Sequence, residues 1–253
     1  DLILEKYRAD IFSIQKILAE SDEFMSVICS LLSESTIPNL KTQTIDGGDT
    51  AACEFLSALF SSMEVDDGLE SSLEKQVSSS RSIREQRKFQ SNAQLKKFLR
   101  PSSDQYLTHA LLDLISHPTS GSASAMSSVT TSLYAKTSAI KILSKLTAAL
   151  PTLLHSQILA APEGLNRILD LLSATSEEEE SIRNESLILC TIMAKTNSGS
   201  ARLMIFGETY EKVMAIAADD AVGTAVRGDC LKLCIELTRQ DEMCSEVFLG
   251  SGA

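Results

Sequence analysis

Six cysteines and three histidines are the side chains through which this 253-residue chain could do chemistry beyond simple charge. Cys230 and Cys234 stand four apart, so on a helix both thiols share one face and could chelate a metal ion. No second Cys or His pair follows at zinc-finger spacing, which favours two small core residues on a buried face. Cys29, Cys53, Cys190 and Cys244 are scattered, most of them in apolar stretches such as Leu187-Ile188-Leu189-Cys190. An even cysteine count suits a disulfide framework in a small secreted domain; this length and scatter suit reduced thiols in a reducing compartment. His109, His117 and His155 have no nucleophile in a recognisable local motif, and no His-x-x-x-His pair occurs. A phosphate loop and a Gly-x-Ser-x-Gly elbow are both absent, and Gly250-Ser251-Gly252 has no helix after it. Glu177 to Glu180 reads as a solvated acidic linker, not a metal site. The sequon Asn184-Glu185-Ser186 opens an apolar helix and reads as part of it. The expectation is a chain without catalytic residues, cofactor or metal.

The elements that carry these residues are helical. Apolar residues recur at three- and four-residue spacing from Ile3 through Tyr7, Ile11, Ile14 and Leu18, then Phe24, Val27, Ile28, Leu31 and Leu32. Ser21-Asp22 interrupts that run and supplies an N-cap, so two helices are expected. Ala51 to Phe60 gives another, and Leu107 to Ile115 a helix stopping before His117-Pro118. Leu133 to Leu150 ends at Pro151. No period-2 alternation between hairpin turns appears, five prolines and eleven glycines are few, and tryptophan is missing. The fold class is all-α.

A formal charge of −11, with 34 acidic against 23 basic residues, makes general nucleic-acid binding a poor fit. No apolar run approaches the roughly 18 residues that span a bilayer, and the first residues do not form a signal peptide. A cytoplasmic chain is expected. Its organisation reads as N-terminal helices over 1–60, a charged Ser-rich insertion over 61–100, and repeated helices over 101–253. The insertion is acidic in front (Glu64 to Glu74) and basic behind (Lys75 to Arg100), and turns helical near Arg84. Its basic half could meet anionic lipid or an acidic partner. A Ser/Thr-rich loop covers 119–132.

The C-terminal part repeats itself. Ile182-Arg183-Asn184-Glu185-Ser186-Leu187-Ile188-Leu189-Cys190 lies over Val226-Arg227-Gly228-Asp229-Cys230-Leu231-Lys232-Leu233-Cys234 at an offset of 44. Leu203-Met204-Ile205 falls on Val247-Phe248-Leu249 at the same offset, and Leu165, Ile168, Leu169 and Leu171 on Tyr210, Val213, Met214 and Ile216 at 45. An earlier copy precedes them at 47. Units of about 44 residues are the armadillo/HEAT period, in which no unit covers its own apolar face and neighbours share one core. An α-solenoid that presents a long binding surface is therefore expected. Ile182 to Met193, apolar nearly all round, should lie sandwiched between units, while Glu163 to Ala174 buries Leu165, Ile168, Leu169 and Leu172. The residues exposed on that helix and its successor, Asn166, Arg167, Asp170, Glu211 and Lys212, are the candidate partner-binding residues.

Three repeat segments carry a resemblance: Ser181-Ile182-Arg183-Asn184-Glu185-Ser186-Leu187-Ile188-Leu189, Ile205-Phe206-Gly207-Glu208-Thr209-Tyr210-Glu211-Lys212-Val213, and Arg227-Gly228-Asp229-Cys230-Leu231. Together with Gln157-Ile158-Leu159-Ala160-Ala161-Pro162-Glu163-Gly164 they resemble the globular head of the general vesicular transport factors. The similarity is good over Leu133 to Gly252 and weak over Thr50 to Phe60; Gly207, where the family has Glu, and the 119–132 loop depart from it. The resemblance implies an armadillo head that tethers vesicles in ER-to-Golgi and intra-Golgi traffic, peripheral on those membranes. It implies as partners a Rab-type small GTPase, SNARE proteins and other Golgi tethers, with a downstream coiled coil making the whole protein a homodimer. Two other readings stand beside it. One is a different armadillo adaptor, in nuclear transport or on the cytoskeleton, although the missing tryptophan argues against an importin-type groove. The other is a metal protein built on Cys230 and Cys234.

Overall fold

The computed structural model describes residues 17–18, 21–33, 48–61, 92–93, 95–100, 106–117, 132–174, 179–239, 242 and 245–246. Among them the regular structure is helical throughout. The α-helices are α1 (Asp22–Ser33), α2 (Gly48–Ser61), α3 (Leu107–Ser116), α4 (Leu133–Ala149) and α5 (Pro151–Ala160). They continue as α6 (Gly164–Asp170, prolonged by a 3-10 turn over Leu171–Ser173), α7 (Glu180–Thr196), α8 (Ser198–Phe206), α9 (Thr209–Ala218) and α10 (Thr224–Arg239).

The helices form two rows. In the inner row α4 packs on α2, α7 on α4, and α10 on α7. In the outer row α3 packs on α1, α6 on α3, and α9 on the turn that ends α6. Short α5 and α8 bridge the rows, each touching inner and outer helices. The expected α-solenoid architecture is therefore present. Equivalent helices begin 47 residues apart for α5 and α8, 45 for α6 and α9, and 44 for α7 and α10.

Local chemistry sets the helix ends. Ser21 Oγ accepts from the Phe24 N–H (3.2 Å), the N-cap expected at that break. Ser132 Oγ does the same for the Ala135 N–H (3.1 Å), and Asn197 Oδ1 for the Ser200 N–H (2.9 Å). Leu150 closes α4, and Pro151, which has no N–H to leave unbonded, opens α5. Before α6 and α9 the chain turns through left-handed Glu163 (φ 53°) and Glu208 (φ 57°), which stand 45 residues apart. This conformation costs a residue with a Cβ about 1–2 kcal/mol. Its recurrence at one corner of successive units shows that the packed helices impose it.

One apolar core runs the length of the stack. Leu187, Leu189, Cys190 and Met193 of α7 are fully buried, with α4 on one side and α10 on the other. Phe98, in the helical stretch 95–98, packs edge-on against Phe60 of α2. Buried Gln157 ties three segments: its Oε1 accepts from Thr108 Oγ1 (2.6 Å) and its Nε2 donates to the Leu99 carbonyl (2.7 Å).

Two expectations are adjusted. The sandwiched helix α7 is not enclosed, because Ile188 remains 40% exposed on a stripe that neither neighbour covers. The segment read as an acidic linker ends earlier than Glu180, which is the first residue of α7. The helix over 3–16, the acidic front of the insertion, the 119–131 loop, Glu177 and Gly250-Ser251-Gly252 lie outside the described residues.

Candidate interaction surface

The thiols belong to the core. Cys29, Cys53, Cys190, Cys230 and Cys234 are all buried. Burial pushes Cys53 and Cys190 up to about 12, and Cys29 and Cys234 to about 11, because a thiolate loses its hydration there. Cys230 is raised for the same reason. Such thiols are poor nucleophiles and poor metal ligands at neutral pH. Among the described residues no group of three or more His, Cys, Asp or Glu side chains is placed to hold a metal ion. His155 lies inside, its pKa lowered by burial, with only weak compensation from the Pro151 and Met193 backbone.

What the stack does display is arranged charge. On the outer row Arg167 Nη1 of α6 meets Asp113 Oδ1 of α3. One unit further, Lys212 Nζ of α9 meets Asp170 Oδ1 (3.2 Å) and the Leu169 carbonyl (3.3 Å) of the preceding unit. The two ion pairs form a ladder in which each outer helix presents its base to the acid before it. Three of the five candidate residues, Arg167, Asp170 and Lys212, thus hold neighbouring units together while still bordering solvent. Asn166 and Glu211, at equivalent positions, project outward beside exposed Glu163 and Glu208.

Asp113 was missed by sequence reasoning. The unit containing it carries a longer outer-to-inner connection, so its offset to Asp170 is 57, not the 44 to 47 of the later units.

A second recurring group lies at the outer-to-inner corner. Arg183 Nη1 donates to the Ala174 carbonyl (3.5 Å), and Arg227 Nη2 to the Asp219 carbonyl (2.8 Å). These arginines stand 44 apart, and each closes the end of its own outer helix. Buried Lys136 stands 47 before Arg183, its pKa lowered chiefly by burial. The inner row has its own rung, Lys141 Nζ of α4 to Glu185 Oε1 of α7 (3.4 Å).

The arrangement offers long, regularly charged faces on a rigid stack and no converging set of catalytic groups among the described residues. With this geometry in view, the similarities to known proteins take on meaning. No family model matches the chain. It is similar to General vesicular transport factor p115 of Homo sapiens, with 26% identity over 111 residues, 43% of this chain. The Bos taurus protein of that name matches at the same identity and length. Golgin candidate 6 of Arabidopsis thaliana is 29% identical over 101 residues, 39% of this chain. Over that stretch the chain is thus distantly similar to proteins named as a vesicular transport factor and a golgin. It spans only about a tenth of those proteins, since each match covers 11% of the relative. Among the described residues no helix is long and apolar enough to cross a membrane.

Proposed function

We propose that this chain is a docking module of a vesicle-tethering factor in ER-to-Golgi and intra-Golgi transport. It works as a protein-interaction scaffold of armadillo type and carries out no reaction of its own. The observation that carries the reading is the alignment with proteins named as a vesicular transport factor and a golgin, in a chain that folds as stacked helices. Stacked helices suit the task, because each unit adds binding surface without altering the core of the others. In this reading the partners are a Rab-type GTPase, SNARE proteins and Golgi tethers, and the module sits peripherally on Golgi and vesicle membranes as the head of a coiled-coil homodimer. The GTPase is assigned to the outer row, at Asn166, Arg167, Asp170, Glu211 and Lys212.

The test is binding of GTP-loaded Rab proteins to the purified chain. Because Arg167 and Lys212 also bond to Asp113 and Asp170, their charge reversal disturbs the stack as well as the surface. Exposed Glu211 and Asn166 separate the two effects. E211K together with N166K should weaken the GTPase while leaving the melting temperature of the chain in place. Unchanged affinity in that variant, or no preference for the GTP form, would sink the outer-row assignment.

A further inference from the structure

The corners where the bridging helices turn into the outer row carry an exposed apolar side chain beside an acid, in two successive units. Leu159 is the ninth residue of α5 and Phe206 the ninth of α8, 47 positions apart, the offset between those helices. A position that served the shared core would be covered in both units. Leu159 is instead 44% exposed and Phe206 68%, with Leu203 46% exposed about one turn before Phe206. The chain then passes through exposed Glu163 and Glu208 into α6 and α9, and exposed Glu211 follows. The two corners are neighbours. Gly207, beside Phe206, lies against Leu169 of α6, the helix that Glu163 precedes.

The charges around these apolar side chains are all of one sign once existing pairs are set aside. Among the described residues Glu163, Glu208 and Glu211 have no cation as partner, while Arg167 and Lys212 are held by Asp113 and Asp170. Arg202, one turn before Phe206, is engaged as well. Contiguous exposed apolar area with a polar rim marks an interaction surface. We propose that this ridge docks a basic amphipathic helix of a partner protein. The inference rests on the scaffold reading above and adds a site centred on Leu159 and Phe206, which that reading does not use.

The spacing selects a helix. Successive units of packed helices stand about 8–10 Å apart. Side chains two turns apart on a helix share a face and lie about 10 Å from each other. An extended strand crosses the same gap in about three residues, which turns the second side chain to the opposite face. The partner segment therefore presents large apolar residues two turns apart, with Lys or Arg a turn after each. Its apolar residues cover Leu159 and Phe206, and its cations meet Glu163 and Glu208. Charge complementarity selects this helix over an acidic one and over an anionic lipid surface.

The experiment measures fluorescence anisotropy of a fluorescein-labelled helical peptide, Ala-Lys-Ala-Leu-Ala-Ala-Ala-Lys-Ala-Ala-Leu-Ala-Ala-Ala-Lys, titrated with the whole chain. Binding should weaken about tenfold or more in L159S/F206S, which keeps the charges, and in E163K/E208K, which keeps the apolar pair. It should weaken as much when the lysines of the peptide become glutamates, and when its second leucine is moved off the shared face. All four substituted side chains are exposed, and circular dichroism with the melting temperature verifies that each variant folds. No binding to the parent chain, or equal affinity across these peptides and variants, overturns the proposal. A dimer of the parent chain in analytical ultracentrifugation that dissociates in L159S/F206S would make the ridge a self-contact and overturn it. Capture by phosphatidylcholine vesicles that the same variant loses would make it a lipid-facing surface and do the same. GTP-loaded Rab binding is measured alongside. Its retention in L159S/F206S with peptide binding lost supports the ridge as a separate site. Its absence in the parent chain, with peptide binding intact, removes the GTPase reading and leaves the ridge standing.

Discussion

Alanine at Gly164 should damage this protein more than at any other described glycine, and the geometry gives the size of the effect. Gly164 is the first residue of α6, directly after left-handed Glu163, and its Cα lies against the end of α5. A Cβ there would overlap the carbonyl oxygen of Ile158, with the Ile158 carbonyl carbon at 3.2 Å and the Ala161 Cβ at 3.0 Å. The obstacle is backbone, and Ile158 is fully buried, so relief requires the α5–α6 corner to move as a body. Overpacking of this kind costs about 2–4 kcal/mol, which for a domain of this size lowers the melting temperature by ~5–15 °C. Two other glycines serve as internal controls. At Gly207 the nearest atom is the tip of the Leu169 side chain (3.0 Å), which can turn aside, so G207A should cost less than about 1 kcal/mol. Gly228 lies within α10 with nothing inside 4 Å, and G228A should raise stability by about 1 kcal/mol through helix propensity. Thermal unfolding followed by far-UV circular dichroism ranks the three. A G164A protein that melts within about a degree of its parent, or a G228A protein that melts below it, would refute the packing argument.

Further expectations follow from the side chains. A double-mutant cycle on Arg167 and Asp113, both partly exposed, should return a coupling of about 0.5–1 kcal/mol that shrinks in molar salt; a salt-independent value would contradict the surface pairing. The five buried thiols should resist a disulfide exchange reagent at pH 8 and react fully in denaturant, and fast native labelling of Cys53 or Cys190 would show that the core is open. His155 has a folded pKa below the ordinary 6.5, so the unfolded chain takes up the proton more readily and stability falls as pH drops through that value. H155L should flatten this dependence between pH 7 and 5, read from midpoints of urea unfolding; an unchanged slope would assign the acid sensitivity to other groups.

Much of the fold was legible because it depends on nearest neighbours. Ser21, Pro151 and the Pro162-Glu163-Gly164 corner terminate helices through the few residues beside them, and the apolar spacing of α1, α3 and α4 depends only on the helical turn. The repeat was legible for a related reason. Helices that must stack on copies of themselves keep the same small, apolar and basic positions, as Arg183 and Arg227 do.

The candidate surface was less legible, because ion pairs between units join residues with no fixed separation. Arg167 reaches 54 residues back to Asp113, while Lys212 reaches 42 back to Asp170, and the difference comes from the length of the intervening connections. A helical pattern shows that Arg167 and Lys212 face outward. Only packing shows which acid lies opposite each base. Helix α7 makes the same point. Its sequence is apolar enough for full burial, yet an inner-row neighbour on either side and the outer helices beneath leave the Ile188 edge open, since a row of cylinders in contact always keeps one face uncovered. The sequence by itself determined the helices, their ends and their recurrence, which are set by interactions within a turn or two. The tertiary stack decided which charges pair, which thiols are silent and which stripe meets solvent, because those depend on what each unit is pressed against.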